Sequence, residues 1–475
     1  MLQIKSNIYS CGEYFRYMAF QDGKFAYIGN ERMKNAKTID FSRQFIYPGF
    51  IDSHTHLLWY GLNLVRCSLF GVKSEDEIYA RIEDYSAKNP KREYIIAEGF
   101  DETAFSKKGF PSKKTLDSMF GDIPVVVRRV CGHIAVLNTE AEKLLKKHLG
   151  GDYDENTGIA REGIILSLNT IFKPKKAEKI LAMKAAQRMF FSLGITSIGD
   201  MATFDSFDIY NTASLNLDVF FYYPAKNAEK LSGWKDSKNV KLKGLKLFTD
   251  GSIGGYTAAV SLPYRGKKSF GALELTEAEF KSAVKIAGRN NYQLAVHAIG
   301  DRAIAFALKN LLKRKHDRIE HFELASAEQI HQAKKQKIFL SMQPNFIGNW
   351  SMDGQMYEER LDKKYYRFNN SVRTIAEENI PMGFGSDCMP PSPLYGIASL
   401  RNANFKNQRL SPIESLKYYT EGSSEIMFEE KTIGKIQKNY IADFTVLSGR
   451  IEDAGKKRLD VVSVFKRGKQ VFTKE

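Results

Sequence analysis

The chain has 475 residues, 43% of them hydrophobic, a length that accommodates two domains or one large barrel with additions. No apolar run approaches the ~18 residues that span a membrane, and Met1-Leu2-Gln3-Ile4-Lys5-Ser6-Asn7 opens no signal-peptide core, so the expectation is a cytoplasmic protein whose cysteines (Cys11, Cys67, Cys131, Cys388) are free thiols. The net charge of +16 is spread along the chain, and its densest runs, such as Lys173-Pro174-Lys175-Lys176, lack any nucleic-acid motif; it reads as a solvated surface, with neither nucleic acid nor membrane as partner.

Residues 1–47 read as short β segments, among them Tyr14–Phe20 and Lys24–Gly29. The last forty or so residues are similar, with Ile441–Leu447 and Val461–Gly468 strand-like. Neither end can bury a core alone. The economical arrangement pairs 1–47 with 430–475 in one small composite β-sandwich. Between them, 48–429 alternates apolar strand-like runs with helical segments, which predicts a parallel sheet. The predicted strands end near His54, Asp200, Tyr222, Phe248, His297, His321, Met342 and Asp387. Typical helices are Glu277–Asn290, with Thr276 as N-cap, and Ser326–Gln336. Between the first and second strands lies an insertion, 64–180, with helices of its own (Asp76–Lys88, Thr139–His148) and strands of its own (Tyr94–Glu98, Pro124–Val130). In a barrel, such an insertion falls on the active-site face. It is expected to form a lid-like subdomain.

The chemistry begins at Tyr47-Pro48-Gly49-Phe50-Ile51-Asp52-Ser53-His54-Thr55-His56. Residues two apart on a strand share a face. His54 and His56 can therefore offer two imidazoles to one metal ion, although two polar residues at a strand end would look the same. Further candidates stand at or near later strand ends: Lys246 in Leu245-Lys246-Leu247-Phe248, His297, His321, and Asp387 after Gly385-Ser386. Ligands gathered at the C-terminal ends of successive strands are brought together by a (β/α)8 barrel. A lysine inside an apolar strand needs a reason. It either serves the site or snorkels outward. Cys388, beside Asp387, reads as structural.

These segments in this order resemble the amidohydrolase superfamily of metal-dependent hydrolases, and within it the amidohydrolase-3 branch that includes N-substituted formamide deformylases. Gly99-Phe100-Asp101-Glu102, Gly132-His133, Lys246-Leu247-Phe248-Thr249-Asp250-Gly251-Ser252 and His297-Ala298-Ile299-Gly300-Asp301 fit that branch, and the resemblance runs the length of the chain. It implies a TIM barrel beside the composite β domain. It implies two divalent ions, Zn2+ by analogy, bridged by a carbamylated Lys246 and a hydroxide. His54, His56 and Asp387 would hold the more buried ion, His297 and His321 the more exposed one. Asp387 would act as general base and then general acid. His133 would either donate to the substrate oxyanion or hold backbone together. Asp101 and Asp250 are weaker candidates for substrate contact, and Asp250 could instead cap the glycine-rich loop after it.

The resulting expectation is hydrolysis of a non-peptide carbon–nitrogen bond, such as an N-acyl amine, in a small molecule, by a homodimer. A lactone, ester or carbamate hydrolase would use the same residues. A one-metal site and a catalytically silent binding protein remain competing readings.

Overall fold

The structure, a computed structural model, describes residues 1–475 apart from 103–104, 107–108, 131–133, 149–152, 162–163, 165–167, 169–170 and 204–205; the side chain of residue 148 is also excluded. The chain forms two compact units, one of residues 1–57 and 187–475, the other of residues 58–186.

Eight parallel strands organise the first unit: β1 Phe50–Thr55, β2 Ile195–Met201, β3 Asp218–Pro224, β4 Val240–Phe248, β5 Gln293–Ala298, β6 Arg318–His321, β7 Phe339–Met342 and β8 Met382–Phe384. They pair in chain order from β1 to β8. The β8 end turns back onto β1, where Asp387 N–H donates to the His54 carbonyl at 2.8 Å. Gly385 permits that approach, because a Cβ there would lie 2.5 Å from the His54 nitrogen. The fold is thus a (β/α)8 TIM barrel with a separate sheet domain, an α/β architecture. The strands end where the sequence places them, except that β8 stops at Phe384 and leaves Asp387 on the following turn.

Helices cover the barrel through ordinary amphipathic spacing. Glu277–Asn290 starts at a Thr276–Glu279 capping box and buries Phe280, Ala283 and Ala287, a 3–4 spacing that puts all three on one face. Ala327–Gln336 starts at the equivalent Ser326–Gln329 box and buries Ile330 and Ala333.

The termini build one seven-stranded sheet, in the order 469–473, 461–466, 444–447, 37–48, 2–10, 13–21, 24–29. It is one continuous sheet, and residues from both of its ends share one buried apolar cluster. Phe25 N–H reaches the Tyr440 carbonyl at 2.9 Å, and the Phe20 and Phe25 rings meet Phe444.

The second unit begins earlier and ends later than predicted, at Leu58 and Ala186. Its six-stranded sheet runs 153–154, 159–161, 134–137, 125–129, 95–100, 67–68. Ile78, Ile82, Leu116, Val125 and Val127 lie in its core, beside Glu75–Lys88 and Lys113–Phe120. Cys11, Cys67 and Cys388 are free thiols, and Cys131 lies outside the described residues. Among the described residues no helix is long and apolar enough to cross a membrane.

Candidate metal centre

His54 lies one residue before the end of β1, a strand buried throughout, and only 1% of its surface is exposed. His321 ends β6 at 2% exposure, and Asp387 sits on the turn after β8. One donor atom from each of these three lies within 4.8 Å of the others. His56 joins through Nε2, 3.0 Å from Asp387 Oδ1. His297, at the end of β5, packs its ring 4.6 Å from that of His321. The tightest triad therefore draws His54 and Asp387 from one implied metal set and His321 from the other.

His321 and Asp387 both adopt left-handed backbone, φ 71° and 51°, and each is followed by a second such residue, Phe322 and Cys388. Side chains with a Cβ populate this region at a cost of order 1–3 kcal/mol, and such residues cluster at functional sites. Here the twist aims a donor at the barrel axis where a continuing strand would alternate faces.

Each histidine has one ring nitrogen fixed by an outside acceptor. His54 Nδ1 meets Glu320 Oε2 at 2.6 Å, His56 Nδ1 the Met201 carbonyl at 3.1 Å, and His321 Nδ1 the Gln343 Oε1 at 2.7 Å. His297 is the reverse, with Nε2 at 2.9 Å from the Gly251 carbonyl. Carbonyl and carboxylate oxygens only accept, so these nitrogens carry the protons. The lone pairs left for a cation are Nε2 of His54 and His321 and Nδ1 of His297; burial lowers His56, but the hydrogen bond and charge of Asp387 outweigh it and raise the ring above its usual range, so a cation would have to displace the proton on its Nε2. Burial, reinforced by the Lys246 charge, pulls His54 down to about 4. Burial also holds His321 well below its usual range. Both rings are neutral at pH 7, as ligation requires.

Lys246 lies in β4, 3% exposed, and its Nζ has no hydrogen-bond partner among the described residues. It does not snorkel. Burial lowers it to about 8, with Arg318 adding to that and Glu320 and Asp387 opposing. An unpartnered buried amine beside four imidazoles and a carboxylate fits a cation site that takes up an additional anionic ligand. Burial pushes Asp387 up, but the hydrogen bond and charge of His56, with His54 and Lys246, outweigh it and hold the carboxyl below its usual range.

Asp250 is 2% exposed, and its oxygens accept N–H bonds from Ala259, Ile299 and Gly300. Those bonds are the loop-capping role, extended to a clamp on the β5 end, and Oδ1 also lies 3.4 Å from His297 Nε2. Asp101 belongs to the second unit and pairs with Arg129 at 3.0 Å. His133 lies outside the described residues. Cys388 Sγ stands 3.4 Å from the His56 backbone N–H, and burial raises its thiol far above the reactive range, in keeping with a structural role.

Sequence reasoning missed the partners behind the ligands: Glu320 and Gln343 on two rings, and Asp52, whose Oδ1 accepts from His54 N and Ser386 N. It also missed Asp200, which accepts from Leu57 N–H and the Tyr210 hydroxyl. Arg318 and Glu320 did carry a signal, because they stand two apart on a strand, the spacing that singled out His54 and His56.

Comparison with known proteins agrees with this geometry. The sequence profile of the amidohydrolase family matches residues 37–472. The chain is 27% identical to YtcJ of Bacillus subtilis (strain 168), a protein named as an amidohydrolase, over 96% of this chain and 95% of that one. It is 21% identical to the N-substituted formamide deformylase of Arthrobacter pascens, over 77% of this chain and 76% of that one. Among solved structures, an uncharacterized metal-dependent hydrolase from Pyrococcus furiosus superposes with a TM-score of 0.84 at 26% identity, covering 94% of this chain and 99% of that chain. The chain belongs to the amidohydrolase family, in its amidohydrolase-3 branch.

Proposed function

We propose that this protein, a metal-dependent hydrolase by family, cleaves an amide-type carbon–nitrogen bond outside a peptide, in a small molecule such as an N-acyl or N-formyl amine. The observation that carries the reading is the convergence of His54, His321 and Asp387 within 4.8 Å, beside the unpartnered Nζ of Lys246. His54, His56, His297, His321, Asp387 and Lys246 would hold the divalent metal, with zinc the first candidate for this nitrogen-rich donor set. A divalent ion there supplies Lewis acidity, polarising a carbonyl and acidifying water.

The chain's own residues do the rest. Lys246 Nζ, lowered by burial to about 8, offers more neutral amine at pH 7 than an ordinary lysine; that neutral amine adds to the carbon of carbon dioxide and releases a proton, giving a carbamate with two oxygens and a negative charge. That converts a buried cation into an anion among cation-binding rings. Asp387 is the one carboxylate among the candidate ligands. It takes the proton from the attacking water and passes it to the departing nitrogen. An amide nitrogen leaves poorly unless protonated, so a shuttle beside the attacking water serves both halves of the reaction. The outer acceptors hold the four rings in place throughout.

A panel of N-formyl and N-acyl amines, with the matching esters, lactones and carbamates, tests the choice of bond. Turnover confined to the amide-type members is expected. Turnover confined to esters or lactones would move the activity to carbon–oxygen bonds on the same scaffold. No turnover of any member by metal-loaded protein would count against this substrate class.

A further inference from the structure

Of the four histidines at the site, three give their spare ring proton to a neutral acceptor, a backbone carbonyl or the Gln343 amide. His54 gives it to a carboxylate, Glu320, at 2.6 Å, whereas His297 Nε2, bonded to the Gly251 carbonyl, only lies near one, 3.4 Å from Asp250 Oδ1. Glu320 has no exposed surface, and neither of its oxygens is spare. Oε1 accepts from Arg318 Nε, and Oε2 accepts both from Arg318 Nη2 at 2.8 Å and from the ring of His54. Glu320 is thus placed behind the ligand. Arg318, equally buried, donates Nη2 to the Ser53 carbonyl at 2.7 Å and Nη1 to the Tyr222 hydroxyl at 3.2 Å. One guanidinium therefore fixes both the acceptor of the His54 ring and the backbone just before His54. Tyr222 is anchored in turn on Gln293, at 2.6 Å.

We infer that Glu320, locked by Arg318, is the positioning residue for His54: it fixes the ring as the Nδ1–H tautomer with Nε2 turned inward, and so sets the affinity of the metal centre. The inference rests on the metal-dependent reading above. A purely structural role accounts for less, since well-packed apolar residues in place of a buried ion pair are often as stable or more so. What the pair does here and an apolar pair could not do is hold an acceptor at His54 Nδ1. Partners that orient a ligating imidazole typically change metal affinity or activity 10–100-fold when removed.

Two readouts test it. In metal-free wild-type protein carrying 15N-histidine, the His54 ring, assigned through its loss in His54→Gln, is expected as the neutral Nδ1–H tautomer. In Glu320→Gln, which keeps the side-chain volume, the negative charge is lost and an amide NH2, which only donates, faces the donors of Arg318, or of Arg318 and His54, where a carboxylate oxygen accepted from them. Zn2+ titrated into metal-free protein against a chromophoric chelator should then bind its tightest equivalent about 10–100-fold more weakly than in wild type. An Nε2–H tautomer of His54 in the wild type would overturn the inference. So would unchanged zinc affinity in a Glu320→Gln protein with wild-type circular dichroism. If that variant does not fold, the wild-type tautomer decides alone. If the wild type binds no zinc, the metal-dependent reading fails, and the tautomer still decides whether Glu320 orients His54.

Discussion

In the terminal sheet the buried face is Ile4, Ile8, Met18, Phe20, Phe25, Ile46, Phe444, Val446 and Phe465. In the barrel, side chains at the same depth include Ser53, His54, Lys246, Arg318, Glu320 and Ser341, all 3% exposed or less. The two interiors are buried alike and made of different material. Apolar burial stabilises by roughly 25 cal/mol per Å2 removed from water. A buried polar group at best breaks even, and only when its partners are all present. The sheet interior is thus a source of stability. The barrel interior gives little of it and spends its volume on arranging charges, protons and lone pairs. Changes at the partly exposed ligands should therefore alter chemistry at little cost in stability, and changes in the sheet should do the reverse; the buried Arg318–Glu320 pair is the exception, since removing one partner also destabilises.

The largest expected effect is at Asp387. Asp387→Asn removes the proton shuttle, and once a substrate is in hand turnover should fall by about 10²–10⁴-fold. The thermal midpoint of the metal-free protein should stay within a few degrees of wild type, because 19% of the Asp387 side chain is exposed and no strand depends on it. A collapse in stability would mean that the site and the scaffold are not separable.

The sheet gives the mirror image. Phe444 is fully buried, stacked 4.4 Å from Phe465. Phe444→Ala should cost about 3–5 kcal/mol in urea unfolding. Metal bound per folded chain, and activity per folded chain, should be unchanged. A matching fall in metal content would show that the two interiors are coupled.

A smaller effect is expected at the barrel's periphery. Thr276→Ala removes the capping-box hydroxyl that accepts from Glu279 N–H, and should cost about 1 kcal/mol with no change in metal binding.

The smallest sharpens the comparison through pH. Burial raises the Glu414 carboxyl, but Arg373, at 2.8 and 3.1 Å, and Ser411 outweigh it and hold Glu414 down at about 2. Its folded-state value is depressed below the usual 4.5. Its contribution is therefore fully present above ~4.5 and lost as pH falls towards 2. Glu414→Gln should lower the urea midpoint slightly at pH 7, and the gap to wild type should close between pH 4.5 and 2. A gap that persists at pH 2 would mean the carboxylate charge is not its source. Both side chains are partly exposed, so salt should shrink the gap as well.

How far the sequence could be read follows the same division. The barrel strands were legible because each is an apolar run with a turn after it, and His54, His297 and His321 close three of those runs. The Thr276 cap was legible because capping is local, while Ser326, read as the first helical residue, is the cap of its helix. Asp387 was found, but its left-handed turn was not, because that conformation is imposed by β8 meeting β1 at Gly385. Gln343 behind His321 is a bond between neighbouring strand ends and Glu320 behind His54 one between β6 and β1, joining residues 22 and 266 positions apart. No local pattern encodes such pairings. The role of Asp250 turned on the same kind of information: the amides that occupy it come from Ala259, Ile299 and Gly300, supplied by folding.

The central claim is that the polar barrel interior is a metal centre built around Lys246. The most direct test is metal content per chain on protein purified without chelator, with the intact mass measured under native conditions, for wild type and Lys246→Ala. The account expects two equivalents of a zinc-like metal and the mass gain of one carbamate in the wild type, both lost in Lys246→Ala. One equivalent, unaffected by Lys246→Ala, would contradict the bridging role of Lys246. No metal at all, in protein that is folded, would contradict the account as a whole.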